Sequence, residues 1–387
     1  MGMQIEEGGR TAQGPSSFST SLASSSLAPC ELSPSEMQHL QSSLESWLSQ
    51  SSEGKKILDF HRRKSGKGED VKQVAQTLAP LYFPVFAWIG RLLRGRLRDK
   101  YDNSSRPDGD TGGDVEHGVV KKQKNNNEGG ALVVGISAPQ GSGKSSLVDA
   151  LKWMFQQNGV EGVVTLSLDD FYVLHEKQEK LARKHAENPL LQRRGNPGTH
   201  EPTLAACVLS ALKNPSHGRD VQIPVFDKSL NGGQGDRLCV KDWKKENSAN
   251  VKLVLFEGWM LGFKAVKDAS AEYMPGLTEE EINCMEPVNK ALKDYEPMNS
   301  LVDAWVVMQT DDLTHVYGWR EQQEQALRAT EGDGMTEDQV HKFVDMFMPV
   351  YKAYLPGLKQ PSLGCGTSPI LNISLGPQRE VQSISLS

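Results

Sequence analysis

The apolar positions change their spacing near residue 131. Upstream of it they recur at helical intervals. Met37, Leu40, Leu44, Trp47 and Leu48 line one face of a helix that Ser33 and Glu36 open with capping-box spacing, with Pro34 at its first position. Further helices are predicted across 70–99. The stretch APLYFPVFAWIG (79–90) carries two prolines, is too short to span a bilayer, and reads as a buried core segment. From 131 onward, short apolar, β-branched runs at 131–137, 163–168, 251–256 and 302–308 alternate with helical stretches. Runs of this kind imply a mostly parallel sheet covered by helices on both faces. Ligands of such sheets bind at the carboxyl ends of the strands. The polar residues that directly follow each run are therefore the candidate functional groups.

Two segments lack this patterning. Residues 1–32 include SSFSTSLASSSLA, which cannot build a core and reads as a disordered tail or part of an organelle transit peptide. Residues 101–130 are polar and end in KKQKNNNEGG, the composition of a flexible linker. The predicted organisation is thus a tail (1–32), a helical region (33–100), a linker (101–130) and an α/β domain (131–387).

Composition narrows the class of function. A chain of 387 residues with 37% apolar and 24% charged positions suits a soluble globular protein, and its net charge of −6 argues against a dedicated nucleic-acid binder. No membrane span is expected. Cys30, Cys207, Cys239, Cys284 and Cys365 are scattered and odd in number, which argues against disulfides and structural zinc.

The first strand run ends in ALVVGISAPQGSGKSSLV (131–148). Ala138-Pro139-Gln140-Gly141-Ser142-Gly143-Lys144-Ser145 fits the P-loop pattern with Ala138 in place of the usual first glycine. Gly141 and Gly143 let successive N–H groups face anionic oxygens, and the helix starting near Gly143 adds its positive end. Lys144 is placed to reach the β- and γ-phosphates of a nucleotide, and Ser145 to ligate Mg²⁺. The apolar stripe Leu147, Ala150, Leu151, Met154 and Phe155 completes the helix. Strand, loop and helix together predict a P-loop NTPase fold, a three-layer α/β/α domain with an N-terminal helical extension.

The second run leads into Asp169-Asp170-Phe171-Tyr172. A carboxylate there can take the proton of an attacking hydroxyl. Adjacent residues on extended chain face opposite ways, so one acid serves the site, and Asp169 is the favoured base. The bland reading of both is helix capping. The third run ends at Glu257, placed like a carboxylate that holds Mg²⁺ through water. Arg194, Asn196 and His200 in RRGNPGTHE, and Asp227, Lys228 and Arg237 in the 224–237 loop, are candidate substrate contacts. Arg320 and Arg328, eight apart on a helix after the last run, are lid candidates that could stabilise phosphate charge. A basic cluster at Arg91, Arg94, Arg96, Arg98 and Lys100 reads as a solvated helix face.

These residues bring the chain close to a known family. It resembles plant-type D-glycerate 3-kinase, of the P-loop kinase branch that includes uridine kinase, phosphoribulokinase and pantothenate kinase. The branch is visible in GSGKSS, DDFY and LFEG; the narrower likeness rests on ISAPQGSGK, RRGNPGTHE, LFEGWMLGF, VNKAL, DAWVVM, VYGWR and FMPVYKAYLPG, spread over 35–358. The resemblance implies ATP- and Mg²⁺-dependent phosphorylation of D-glycerate to 3-phosphoglycerate, in plants the closing step of photorespiration in the chloroplast stroma. It puts nucleotide phosphates on Gly141 to Ser146, makes Asp169 the base and Glu257 the metal-side acid. Phe226 stands where the wider branch often has Tyr, and Gly318 where a bulkier, often basic lid residue is usual. A monomer is expected, and a cytoplasmic location is the alternative.

Two other functions compete. A P-loop kinase for a nucleoside, pantothenate or a sugar phosphate shares GSGKSS and DDFY and differs in its acceptor loops. A nucleotide-dependent switch usually carries NKxD, where this chain has Asn289-Lys290-Ala291-Leu292.

Overall fold

The computed structural model describes residues 32–65, 68–104, 130–214, 218–331, 334–359 and 368–387. Most of the serine-rich tail and of the predicted linker, residues 1–31 and 105–129, lies outside them.

The centre is a six-stranded sheet. Its strands are β1 (Leu132–Ser137), β2 (Val163–Ser167), β7 (Leu253–Gly258), β8 (Ala304–Gln309), β9 (Ile370–Leu375) and β10 (Val381–Leu386), in the order β10-β9-β8-β1-β7-β2. All neighbours are parallel except β9 and β10. Every residue of β1, β7 and β8 is buried, so both faces of these central strands are covered, as their unbroken apolar runs require. Two small antiparallel pairs, β3 (Asp220–Ile223) with β6 (Lys244–Asn247) and β4 (Phe226–Asp227) with β5 (Asp236–Arg237), lie outside the sheet.

The predicted runs become β1, β2, β7 and β8. The two C-terminal strands were not predicted. ILNISL and VQSISL interleave polar with apolar residues, as suits a sheet edge with one face partly wet, and their apolar runs are too short to stand out.

Three helices precede the sheet: α1 (Pro34–Gln50), α2 (Ser52–Ser65) and α3 (Val71–Ser104). The capping box of Ser33 and Glu36 is present at α1. The helices expected across 70–99 form one continuous element of 34 residues that runs on to Ser104 with Pro80 and Pro84 inside it. Each proline removes a backbone donor. The helix continues because Tyr82, Val85, Phe86, Trp88 and Ile89 are buried around them.

These helices share one hydrophobic core with the sheet. They pack on α4 (Lys144–Gln157), the helix that follows the P-loop: Phe86 stacks on Phe155 at 4.4 Å between centroids, and Trp47 Nε1 donates to Asp149 at 2.8 Å. An aromatic pair of this kind adds about 0.5–1.5 kcal/mol to the burial of its area. The basic cluster is not wholly a solvated face. Arg96 pairs with Asp303 at 2.8 Å, and Asp303 also receives Lys213 Nζ at 2.7 Å and the Val133 N–H at 2.9 Å, tying α3 to the start of β1.

The remaining helices are α5 (His175–Lys184), α6 (Pro202–Lys213), α7 (Glu279–Leu292), α8 (Glu296–Asn299), α9 (His315–Glu331), α10 (Glu337–Asp345) and α11 (Met348–Tyr354). Among the described residues no helix is long and apolar enough to cross a membrane, and Cys207, Cys239 and Cys284 are free thiols.

Candidate active site

The loop after β1 has the backbone its glycines allow. Gly141 and Gly143 take φ of 74° and 90°, and Gly143 caps α4 so that Lys144 is its first residue. A Cβ on Gly141 would lie 2.8 Å from the Trp319 backbone, so α9 packs directly on the loop. Four further contacts fix it. The Gln140 N–H donates to the Tyr351 hydroxyl at 2.9 Å. Ser142 Oγ donates to the Pro139 carbonyl at 2.7 Å. Arg379 Nε donates to the Gly141 carbonyl at 2.6 Å. The Ala138 N–H donates to the Gly258 carbonyl at 3.3 Å. Ser146 Oγ donates to Glu53 of α2 at 3.1 Å, which brings the N-terminal helices to the edge of the loop.

Glu257 closes β7 directly beside β1. It is 7% exposed; its Oε1 accepts Ser145 Oγ at 3.1 Å, and its Oε2 lies 3.6 Å from Lys144 Nζ. That Oε2 is enclosed and has no hydrogen-bond partner among the described residues. One hydroxyl and one such carboxylate make a hard-oxygen donor pair that fits a Mg²⁺ ion keeping most of its waters.

After β2 the chain makes a tight turn over Leu168–Phe171, and its two acids part company. Asp170 accepts the Phe226 N–H at 3.3 Å and anchors β4. Asp169 accepts the Tyr172 hydroxyl at 2.9 Å and Lys228 Nζ at 2.6 Å. Burial alone would raise the Asp169 pKa. Lys228 and Lys144 outweigh it and hold the carboxyl well below the usual carboxylate value. Burial raises Asp170 instead.

Two cations of the predicted loops, Lys228 and Arg194, act on this carboxylate. Burial lowers the pKa of the Arg194 guanidinium, and Tyr172 and Asp169 act against that. Arg194 lies over the Phe226 ring at 5.4 Å, and its Nη1 donates to the carbonyls of Gly233 (3.0 Å) and Gln234. Phe226, the departure from tyrosine, thus supplies an apolar floor. Burial likewise lowers Arg320, which Glu324 and Asp169 hold up. Arg320 also bonds Glu324 and Gln323 and lies over the Phe343 ring at 4.8 Å. His200 is 4% exposed and stacks on Tyr172 at 4.4 Å. Burial pushes its pKa down to about 4, against the pull of Asp169.

Other predicted residues have partners away from Asp169. Asn196 gives its amide hydrogens to the carbonyls of Leu190 and Met346, both at 2.9 Å, so those donors hold the loop's shape. Asp227 accepts Ser229 N–H and Oγ at 2.9 and 2.6 Å and closes a turn. Arg237 pairs with Glu201 at 2.8 Å. Arg328 is bound to Glu321 at 2.7 Å and to the Met335 carbonyl, so it joins α9 to the chain entering α10. No Cβ contact would be made at Gly318, which faces open space.

Sequence reading missed Glu53, Tyr351 and Arg379, and also Tyr295, whose hydroxyl lies 2.9 Å from His200 Nδ1. Tyr351 lies within FMPVYKAYLPG, but a tyrosine on a helix gives no sign of which backbone it meets. Arg379 lies in the Gly-Pro turn of a hairpin that was itself not predicted.

No family model matches the chain. It is 34% identical over 346 residues to the chloroplastic D-glycerate 3-kinase of Arabidopsis thaliana, covering 88% of this chain and 68% of that one. It is 41% identical over 230 residues to the uncharacterized kinase mug58 of Schizosaccharomyces pombe, covering 59% and 82%. The solved structure of a D-glycerate 3-kinase from Cryptococcus neoformans matches with a TM-score of 0.62 at 29% identity, over 77% of this chain and 99% of that one. With a third of its residues identical over most of both chains, and with the P-loop and the acids beside it in place, the chain belongs to the D-glycerate 3-kinase family.

Proposed function

We propose that the protein phosphorylates D-glycerate with ATP as donor, giving 3-phospho-D-glycerate and ADP. One observation carries this reading: an ionised Asp169, bonded to Lys228 at 2.6 Å, lies within electrostatic reach of Lys144, Arg194 and Arg320. An acceptor that is itself an anion needs such cations, and the Arabidopsis relative is named for that acceptor.

The roles follow from the chemistry of each group. Lys144 and the N–H groups of Gly141 to Ser146 hold the nucleotide phosphates. Asp169 takes the proton of the attacking hydroxyl as the new O–P bond forms and the bond to ADP breaks. Lys228 holds Asp169 charged and in place, and Arg194 pairs with the glycerate carboxylate. His200 donates a hydrogen bond to the substrate. Ser145 and Glu257 would hold Mg²⁺, which when bound neutralises charge on the phosphates. Arg320 adds positive charge from the lid helix. Asn196, Asp227, Lys228 and Arg237 shape the acceptor side, and Ala138, Gln140 and Arg328 the nucleotide side.

A coupled assay of ADP release tests the reading. Release should depend on D-glycerate and on Mg²⁺, with the product identified by ³¹P NMR as the 3-phosphate. Preference for uridine or pantothenate, or release that needs no acceptor, overturns it. The chloroplast stroma is the proposed site of action, supported by the name of the Arabidopsis relative, with the cytoplasm as the alternative. Fractionation against a stromal marker separates the two.

A further inference from the structure

The next step rests on the proposed function and concerns where the proton of His200 sits. His200 Nδ1 lies 2.9 Å from the hydroxyl oxygen of Tyr295. The same oxygen accepts the Gly198 N–H at 3.1 Å. Tyr295 is 2% exposed, so its own hydroxyl proton needs an acceptor within the protein. The Gly198 N–H can only donate. A proton on Nδ1 would make both neighbours of the phenol donors and leave the phenol's proton without an acceptor. With the phenol donating to Nδ1, all three groups are satisfied, and the ring proton of a neutral imidazole must then be on Nε2.

That Nε2 is enclosed and has no hydrogen-bond partner among the described residues. It belongs to a ring stacked at 4.4 Å, 23° from parallel, on Tyr172, whose hydroxyl donates to Asp169. We propose that Tyr295 is a positioning residue that fixes His200 as the neutral Nε2–H tautomer, so that Nε2–H serves as a hydrogen-bond donor to an oxygen of the acceptor substrate beside Asp169. The neutral form matters chemically. A neutral donor recognises an oxygen without placing one more full positive charge beside a base that Lys228 and Lys144 already hold ionised. The low pKa that burial gives the ring agrees with a neutral imidazole at physiological pH.

The test is long-range ¹H–¹⁵N correlation on the full chain with ¹⁵N-labelled histidine at pH 7. His200→Gln assigns the signals. The expected spectrum has a protonated Nε2 and an unprotonated Nδ1. Saturating D-glycerate, added with a non-hydrolysable ATP analogue, should shift the Nε2 resonance. Tyr295→Phe should convert the ring to a mixture of tautomers and raise KM for D-glycerate about five- to twentyfold, with KM for ATP within twofold. A parent ring protonated on Nδ1 or on both nitrogens overturns the proposal. So does an Nε2 signal that ignores saturating D-glycerate, or a Tyr295→Phe protein of unchanged tautomer and KM. The tautomer is read without substrate, so failure of the glycerate reading shows separately, as ADP release that does not respond to D-glycerate.

Discussion

Arg379 Nε donates to the Gly141 carbonyl across 2.6 Å, from a hairpin turn near the end of the chain into the middle of the P-loop. The same guanidinium bonds the Gln322 side chain at 2.6 Å and the Trp319 carbonyl at 3.1 Å. Trp319 returns the contact through its indole N–H, which donates to the Pro377 carbonyl at 2.8 Å. Arg379 takes φ of 64°, a conformation uncommon outside glycine. Burial lowers its pKa to about 10, which leaves it charged at neutral pH. One side chain therefore couples the P-loop, α9 and the C-terminal hairpin.

Removing that coupling should act on the nucleotide alone. A charge-assisted hydrogen bond contributes about 1.5–3 kcal/mol. Arg379→Ala is expected to raise KM for ATP about ten- to a hundredfold, while KM for D-glycerate stays within about threefold. Equal rises in both constants would show a general loss of structure, and no rise would show that the loop keeps its shape unaided.

The two acids after β2 should separate in the same kinetic analysis. Asp169→Asn keeps the size of the side chain and removes its capacity to take a proton, so kcat should fall about 10²–10⁴-fold with little change in ATP affinity. Asp170→Asn keeps a carbonyl oxygen for the Phe226 N–H and should lose far less. A larger loss at Asp170 would transfer the base to the neighbour.

His200 also makes a prediction about stability. Burial lowers its pKa from the ordinary 6.5 to about 4 in the folded protein. The unfolded chain therefore binds a proton that the folded protein refuses between those values, so stability rises with pH across that window. The contribution is complete above about pH 6.5 and lost as pH falls toward 4. It amounts to roughly 3 kcal/mol. Urea unfolding at pH 7 and pH 4.5 should show the parent losing more stability than His200→Gln by about that amount. The same loss in both proteins would mean that the folded ring accepts its proton freely.

How much of this was legible in the chain depends on the range of the interaction. Gly141, Gly143, Lys144 and Ser145 declare themselves because a phosphate cradle is local: strand, turn and helix lie within one stretch of sequence. The divergence of Asp169 and Asp170 is also local, since neighbouring residues leave the backbone in different directions. Glu257 could be placed from the end of its strand, because parallel strands bring their carboxyl ends to one edge. Arg379 and Tyr351 act on the loop from 238 and 211 residues away, and no periodicity carries that distance. The same limit explains Asn196 and Arg237, which look like binding groups in a polar loop. Each also bonds a distant part of the protein, Met346 and Glu201, which the sequence of the loop does not reveal.

Specificity for an acid is the sharpest demand on the site. D-glycerate offers two hydroxyls, and its carboxylate must be held if only one of them is to reach the phosphate. Arg194 lies over Phe226, and its Nη1 is committed to the Gly233 and Gln234 carbonyls. The guanidinium is thus oriented by the protein before substrate arrives, which reduces the entropy lost on forming a second, charge-assisted bond. That bond should contribute about 1.5–3 kcal/mol. Arg194→Ala should therefore raise KM for D-glycerate about ten- to a hundredfold and leave KM for ATP within a few-fold. Glycerol lacks the carboxylate. It should be a poor substrate for the parent and lose much less than glycerate when Arg194 is removed, because there is no acid to release. Steady-state kinetics on both acceptors decides the point. An unchanged KM for D-glycerate in the variant, or glycerol turned over by the parent as readily as glycerate, would show that the carboxylate is read elsewhere.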